Sequence, residues 1–91
     1  LEAQNHLAVV AWSAGEGAEA VAAWRAVLRR AYEERLALPE PVHVHLARAL
    51  LVLGERDEAR AVLAEHLERA PDSAYAAQTR ELLERLEGAS R

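Results

Sequence analysis

This chain of 91 residues has a net charge of -4 and is rich in alanine, leucine, glutamate and arginine, a composition that favours one small α-helical domain. The absence of cysteine excludes disulfides and thiolate sites, and arginines interleaved with acidic residues argue against a nucleic-acid surface. Because no apolar run approaches the ~20 residues of a membrane span and no signal peptide opens the chain, we expect a soluble, cytoplasmic protein, and the alanine and arginine bias favours a bacterial source.

Apolar residues at helical spacing predict five helices, over residues 2–14, 17–37, 41–53, 57–70 and 73–87. Gly15 and Gly54 follow the first and third apolar runs, where a left-handed C-terminal cap favours glycine. Pro71 cannot continue the fourth helix, and Asp72 or Ser73 can cap the N-terminus of the fifth. Because the links are short, consecutive helices are predicted to be antiparallel.

The chain also repeats itself at a spacing of 39 residues. Identical residues that coincide include the pairs His6 and His45, Leu7 and Leu46, Ala8 and Ala47, Gly15 and Gly54, Glu16 and Glu55, Glu19 and Glu58, Ala20 and Ala59, Arg30 and Arg69, and Ala31 and Ala70. Large apolar residues coincide as well, Trp12 with Leu51 and Trp24 with Leu63. A helical hairpin repeated with one turn geometry is expected to stack into a right-handed α-solenoid.

The second copy has a spaced set of residues at Leu46, Ala47, Leu50, Gly54, Ala59, Leu63 and Pro71, and the first copy matches it at Leu7, Ala8, Gly15, Ala20, Trp24 and Val27. This pattern resembles the tetratricopeptide repeat (TPR) family, although Tyr32 replaces the terminal proline and His66 replaces a preferred alanine. The resemblance implies a right-handed, TPR-like solenoid with repeat 1 over residues 1–39, repeat 2 over 40–73 and a capping helix over 73–87. Because the chain begins at Leu1 and not at Met, we expect it to be a fragment of a longer protein.

The hairpin interiors can be predicted from residue size. We expect the closest approach of the paired helices at the small residues Ala8, Ala20, Ala47 and Ala59. Trp24 and Leu63 are predicted to fill the space one turn further on, as core residues.

We expect the functional surface in the concave groove that the first helix of each pair lines in such a solenoid. The predicted groove residues are Asn5, Val9, Trp12, Val44, Arg48, Leu51, Gln78 and Leu82, with Tyr75 as an alternative to Leu82. Helices 2–14 and 41–53 are hydrophobic nearly all round, which predicts an exposed apolar patch. Trp12 and Leu51 fit either this groove or the core, and Arg48 fits either a surface residue or a charged groove contact.

Metal binding and catalysis find little support in the sequence. His43 and His45 lie on different sides of one helix, and the repeat equivalents His6 and His45 lack an obvious third ligand beyond Glu2. There is no nucleophile elbow, glycine-rich phosphate loop or evident carboxylate pair. We therefore expect no metal, no cofactor and no enzymatic activity.

The predicted function is a non-catalytic protein-protein interaction module that binds an apolar peptide or helix in its concave groove. TPR domains that hold chaperone C-termini use lysine and asparagine side chains, and this chain has no lysine, so carboxylate clamping is not expected. The alternative is a structural or self-association domain whose groove is buried by a second copy, as a homodimer, or by the rest of the parent protein. We expect a protein or peptide partner, with no nucleic acid and no membrane.

Overall fold

Five α-helices form the part of the chain that the computed structural model describes, residues 1–89. They are α1 (Glu2–Ser13), α2 (Gly17–Glu34), α3 (Val42–Val52), α4 (Arg56–Arg69) and α5 (Ala76–Ala89). No strand occurs within residues 1–89, so the predicted all-α fold with five helices is confirmed. Within the same residues, no helix has both the length and the hydropathy that crossing a bilayer requires.

Each helix packs mainly against its neighbours in the chain: α1 on α2, α2 on α3, α3 on α4 and α4 on α5. Two side-chain contacts then tie the hairpin α1–α2 to the hairpin α3–α4. Arg25 on α2 forms an ion pair with Glu58 on α4, and Asn5 on α1 donates a hydrogen bond to Glu40 just before α3. These contacts bring α1 close to the start of α3, and α2 close to α4.

The two hairpin turns have the same backbone conformation at positions 39 residues apart in the sequence. Gly15 and Gly54 both have φ 83°, where a Cβ atom would be strained. The next residues also match, with φ and ψ of −94° and 63° at Glu16 and of −95° and 62° at Glu55. Their amides donate to the carbonyl groups of Ala11 and Leu50 at 2.9 and 2.8 Å. The prediction that both glycines occupy left-handed turns is confirmed.

Small residues allow the paired helices to pack closely. The fully buried alanines are Ala8, Ala20, Ala47 and Ala59, as predicted for the closest approach of each hairpin. Trp24 and Leu63 are buried beside them, and Leu46 and Leu50 add the largest buried aliphatic volume of α3. The core assignments of Trp24 and Leu63 are therefore confirmed.

Helix α2 ends at Glu34, three residues before the predicted end at residue 37. Arg35 takes up a left-handed conformation, with φ 54° and ψ 43°, and turns the chain away from the helix axis. The amide of Leu36 then donates to the Ala31 carbonyl group at 2.9 Å, which closes the C-terminus. Pro39 disfavours a helical conformation only at Leu38, so the left-handed conformation of Arg35 is what ends the helix.

Helix α5 begins at Ala76, three residues after the predicted start at residue 73. Residues 71–75 instead form turns, in which the Ser73 hydroxyl group accepts a hydrogen bond from the Tyr75 amide at 3.2 Å. The same hydroxyl group contacts Nε2 of His66 at 2.8 Å. This contact with α4 holds Ser73 away from the helix axis, so the predicted start of the fifth helix was too early.

Candidate functional site

The helices α1 and α3 enclose an open groove with a volume of about 450 Å³. We define this α1–α3 groove by its lining residues, which are Val9, Trp12, Trp24, Glu40, His45, Arg48, Ala49 and Val52. Trp24 belongs to α2 and forms the base, while α1 and α3 supply the walls. The groove is therefore a feature of tertiary packing, built by three helices.

Two tryptophans give the groove its aromatic surface. The ring centroids of Trp12 and Trp24 are 6.3 Å apart, with 47° between the planes, which is within the range of favourable aromatic pairs. Trp24 is buried, whereas Trp12 is half-buried and packs against the core. Trp12 was predicted to lie either in the groove or in the core. Its side chain does both, because it packs against the core and also lines the groove.

A polar network closes one end of the groove. The indole Nε1 of Trp24 donates to Oδ1 of the buried Asn5 at 3.0 Å, and Nδ2 of Asn5 donates to Oε1 of Glu40 at 2.6 Å. Nε2 of His45 also donates to the same Glu40 oxygen, at 3.1 Å. The His45 ring lies 6.2 Å from the Trp24 ring. These bonds hold the base of the groove in one orientation and join α1 to the start of α3.

The apolar wall continues past the C-terminal end of α3. Val52 is 74% exposed, and Val9 and Leu53 are exposed as well. Leu53 and Trp12 both come within 3.4 Å of the position that a Cβ atom would have at Gly17. Both side chains therefore lie beside Gly17 at the start of α2, and Val9, Trp12 and Val52 line one apolar surface that extends from α1 to α3.

Arg48 is the charged residue of the groove that has no partner. Its side chain is exposed, and it makes no ion pair or hydrogen bond with other residues in 1–89. Glu40, at the other end, is already bound by Asn5 and His45. The groove therefore presents apolar and aromatic side chains beside one unpaired positive charge.

The structure brings together three of the eight predicted groove residues, Val9, Trp12 and Arg48. Asn5 and Val44 are buried, because α3 packs against both α2 and α4 and α1 is tied to α3 through Asn5. The remaining three lie elsewhere: Leu51 and Leu82 are half-buried against the core, and Gln78 is exposed on α5.

His45, Ala49 and Val52 also line the groove, and none of the three was predicted as a groove residue. With Arg48 they occupy positions i, i+3, i+4 and i+7, which is one face of a helix. Arg48 is the one charged residue of α3 apart from its histidines, so it could have marked this face as the exposed one. The uniformly apolar neighbours of Arg48 concealed that signal.

A second site, also missed, is a cavity of about 740 Å³ between the C-terminal ends of α2 and α4 and the segment before α5. At its wall, Tyr32 OH lies 2.9 Å from Nδ1 of His66, and Nε2 of His66 lies 2.8 Å from the Ser73 hydroxyl group. Tyr32 and His66 are the two departures from the TPR pattern. Both residues lie near the C-terminal ends of the second helices of their hairpins, which was the available signal.

Burial controls the protonation of this second site. Desolvation lowers the pKa of His66, and it lowers the pKa of the fully buried His43 to about 3, helped by the charges of His66 and His45. Desolvation also raises the pKa of Tyr32 to about 12. Both imidazoles are therefore neutral near pH 7, and the tyrosine keeps its proton.

Residues 1–89 contain no group of three or more histidine and acidic side chains placed to hold a metal ion. The two buried histidines already have hydrogen-bond partners. The Thr79 hydroxyl group lies 2.6 Å from Nε2 of His43, and His66 contacts Tyr32 and Ser73.

Comparisons with protein-family models, curated proteins and solved structures find no match to this chain. The function has to be inferred from the sites themselves.

Proposed function

We propose that this chain is a non-catalytic protein-interaction module whose α1–α3 groove binds a peptide segment with apolar side chains and one acidic residue. The observation that carries this proposal is the unpaired Arg48 beside the apolar surface that Val9, Trp12 and Val52 line. Exposed apolar surface of this kind commonly marks an interaction site. A carboxylate on the partner would form a charge-assisted bond with the guanidinium group.

We also propose that the chain consists of two TPR-type repeats and a capping helix, arranged as a right-handed solenoid in a cytoplasmic protein. The matching turn conformations at Gly15 and Gly54 support a repeat, as do the buried alanines at equivalent positions. Helix α5 supports a capping role, because Thr79 and Leu86 are buried while Arg80, Glu81 and other charged residues are exposed.

The preorganised base of the groove favours a peptide that inserts a large apolar side chain. Trp24 is held by Asn5, and Asn5 by Glu40, so the indole does not need to reorganise when a ligand arrives. Trp12 stands at the rim of this base and offers an aromatic anchor of the type that dominates interface energies. Affinity is expected to depend on Trp12 and selectivity for an acidic residue on Arg48.

Selection from a phage-displayed random peptide library on the immobilised protein tests the proposal. We expect the enriched peptides to combine apolar residues with Asp or Glu. The Arg48→Glu variant should bind them at least about 10-fold more weakly, which corresponds to about 1.4 kcal/mol. The matched control is Arg80→Glu, the same charge change on the exposed face of α5.

A further variant, Val52→Glu, places a charge on the apolar wall at a side chain that contributes little to the core. It should abolish binding of the selected peptides while leaving the circular dichroism spectrum unchanged. Peptides that bind Arg48→Glu and Val52→Glu as tightly as the parent chain would refute the groove as the binding site.

A second candidate function is self-association through the other face of α1. Ala3, Leu7, Val10 and Ala14 are spaced as i, i+4, i+7 and i+11, and Leu7 is 65% exposed. The equivalent residues of α3 include Val42, Leu46 and Ala49, which are all buried. The α1 stripe thus has the composition of a helix-packing surface, and a second copy could cover it.

Light scattering over a range of concentrations distinguishes the two candidates. A dimer that Leu7→Glu dissociates and Arg48→Glu leaves intact supports pairing through the α1 stripe. A monomer at every concentration excludes self-association and leaves the peptide-binding proposal in place.

A further inference from the structure

The cavity between α2, α4 and the segment before α5 has the size of a small-molecule site. Its volume of about 740 Å³ lies within the roughly 300 to 1,000 Å³ that is usual for ligand pockets. Leu36 and Leu38 line one side, and Ala70 and Tyr75 line the other. These side chains supply apolar and aromatic surface for the body of a ligand.

The charged side chains that line this cavity are all positive. Arg35 and Arg69 line it, and none of its lining residues within 1–89 is acidic. Arg69 is partly neutralised, because it forms an ion pair with Glu65 at 3.0 Å and lies over the Tyr32 ring at 5.6 Å from the centroid. Arg35 has no ion pair or hydrogen-bond partner through its side chain among residues 1–89. The free positive charge of the cavity is therefore that of Arg35.

Arg35 also occupies a backbone conformation that usually belongs to glycine. It is the only residue other than glycine with a positive φ, 54°, within the described part of the chain. A side chain in this region is strained relative to glycine. Glycine would therefore stabilise this turn, yet the position carries a guanidinium group at the edge of the cavity.

Hydrogen bonds join three of the residues that line the cavity, Tyr32, His66 and Ser73. His66 is buried and neutral, and its two ring nitrogens are bound by Tyr32 OH at 2.9 Å and by the Ser73 hydroxyl group at 2.8 Å. A neutral imidazole has one donor and one acceptor, so one hydroxyl group donates to the ring while the other accepts from it. The chain Tyr32–His66–Ser73 joins α2, α4 and the segment before α5, and it keeps the cavity open in a fixed shape.

We infer that this cavity binds a small organic anion, with an apolar or aromatic body against Leu36, Leu38 and Tyr75 and a carboxylate group bound by Arg35. The site is separate from the α1–α3 groove and does not depend on the function proposed for that groove. A carboxylate matches the planar guanidinium group, which can bind it through two parallel hydrogen bonds.

Isothermal titration calorimetry with naphthalene-2-carboxylate, its neutral carboxamide and 2-naphthylmethylammonium tests this inference on the full chain. We expect the carboxylate to bind about 10-fold or more tightly than the carboxamide, which corresponds to about 1.4 kcal/mol, and the ammonium ion to bind most weakly. Equal affinity for carboxylate and carboxamide, or no binding of any of the three, would overturn the inference.

Three variants locate the binding site. Arg35→Gly should keep the fold, because glycine suits the left-handed turn, and should remove the preference for the carboxylate. Ala74→Phe, at an exposed lining residue, should fill the cavity and weaken all three compounds. Arg80→Gln, at an exposed residue of α5 that does not line the cavity, should change nothing. Carboxylate binding that survives Arg35→Gly and Ala74→Phe, or that Arg80→Gln removes, contradicts the assignment.

Discussion

The imidazole rings of His43 and His66 lie stacked in the interior, 3.5 Å between centroids and 5° from parallel. The Thr79 hydroxyl group donates its proton to the Tyr75 carbonyl group at 2.7 Å, so Nε2–H of His43 must donate to Thr79. Nδ1 of His43 is then an unprotonated acceptor, and it has no partner among residues 1–89. Protonation there would place a buried cation against a second imidazole.

Folding stability should therefore fall as the pH drops below about 6.5. The folded pKa of His43 is near 3 against an ordinary value of 6.5, so the unfolded chain takes up the proton first. The free energy of unfolding should be highest above pH 6.5 and decrease by about 1.4 kcal/mol per pH unit from this group as the pH approaches 3. The lowered pKa of His66 acts in the same direction.

Urea denaturation between about pH 7.5 and 5.5 measures this slope. His43→Gln can retain the donor to Thr79 without a titrating group and should flatten the dependence. His6→Gln, at an exposed position, should leave it unchanged. A slope that is the same in His43→Gln and in the parent chain would contradict the assignment.

The hairpin interior should be sensitive to volume in both directions. Leu63 and Ala59 are fully buried on α4. We expect Leu63→Ala to lower the free energy of unfolding by about 2 to 5 kcal/mol through loss of contacts and a cavity. Ala59→Leu should lower it by about 1 to 3 kcal/mol through overpacking. Ala64→Leu, exposed on the same helix, is the control and should have an effect within about 0.5 kcal/mol in chemical denaturation.

Two glycines should respond to alanine with opposite signs. At Gly54 nothing lies within 4 Å of the added Cβ atom, but φ is 83°, so Gly54→Ala should destabilise by about 1 kcal/mol through backbone strain alone. At Gly88, in α5, the space is also open and φ is not positive, so Gly88→Ala should stabilise by about 0.4 to 1 kcal/mol. Thermal unfolding of the two variants provides the comparison, and a Gly54→Ala variant that is at least as stable as the parent chain would show that the turn does not require glycine.

Asn5 should matter for stability more than its size suggests. It is buried, accepts from Trp24 and donates to Glu40. Asn5→Ala leaves the buried indole N–H without a partner, and we expect a loss of about 1 to 3 kcal/mol in urea denaturation. Gln4→Ala, exposed one residue earlier on α1, should be close to neutral. If both variants unfold at the same urea concentration, the hydrogen bond to Trp24 does not contribute to folding.

Features that depend on local chemistry could be predicted from the sequence. Glycine is favoured at a positive φ, so Gly15 and Gly54 marked both turns, and Pro71 marked the end of α4, which the structure places at Arg69. The i to i+4 spacing of Glu81 and Arg85 also favours an ion pair on one helix face, and the two side chains lie 2.6 Å apart. In each case the cause lies within a few residues of its effect.

Features that depend on distant residues required the tertiary structure. Helix α3 is apolar on nearly every side, so its pattern did not distinguish the buried Val44 from the exposed Val52, and packing against α2 and α4 made that choice. His66 is separated by 23 residues from the ring on which it stacks, and by 34 from the tyrosine that binds it. The sequence by itself determined five helices and their turns, because backbone preference and helical periodicity are local. The position of the groove, the stacked imidazoles and the cavity followed only from tertiary packing, because burial depends on which neighbouring helix covers each face.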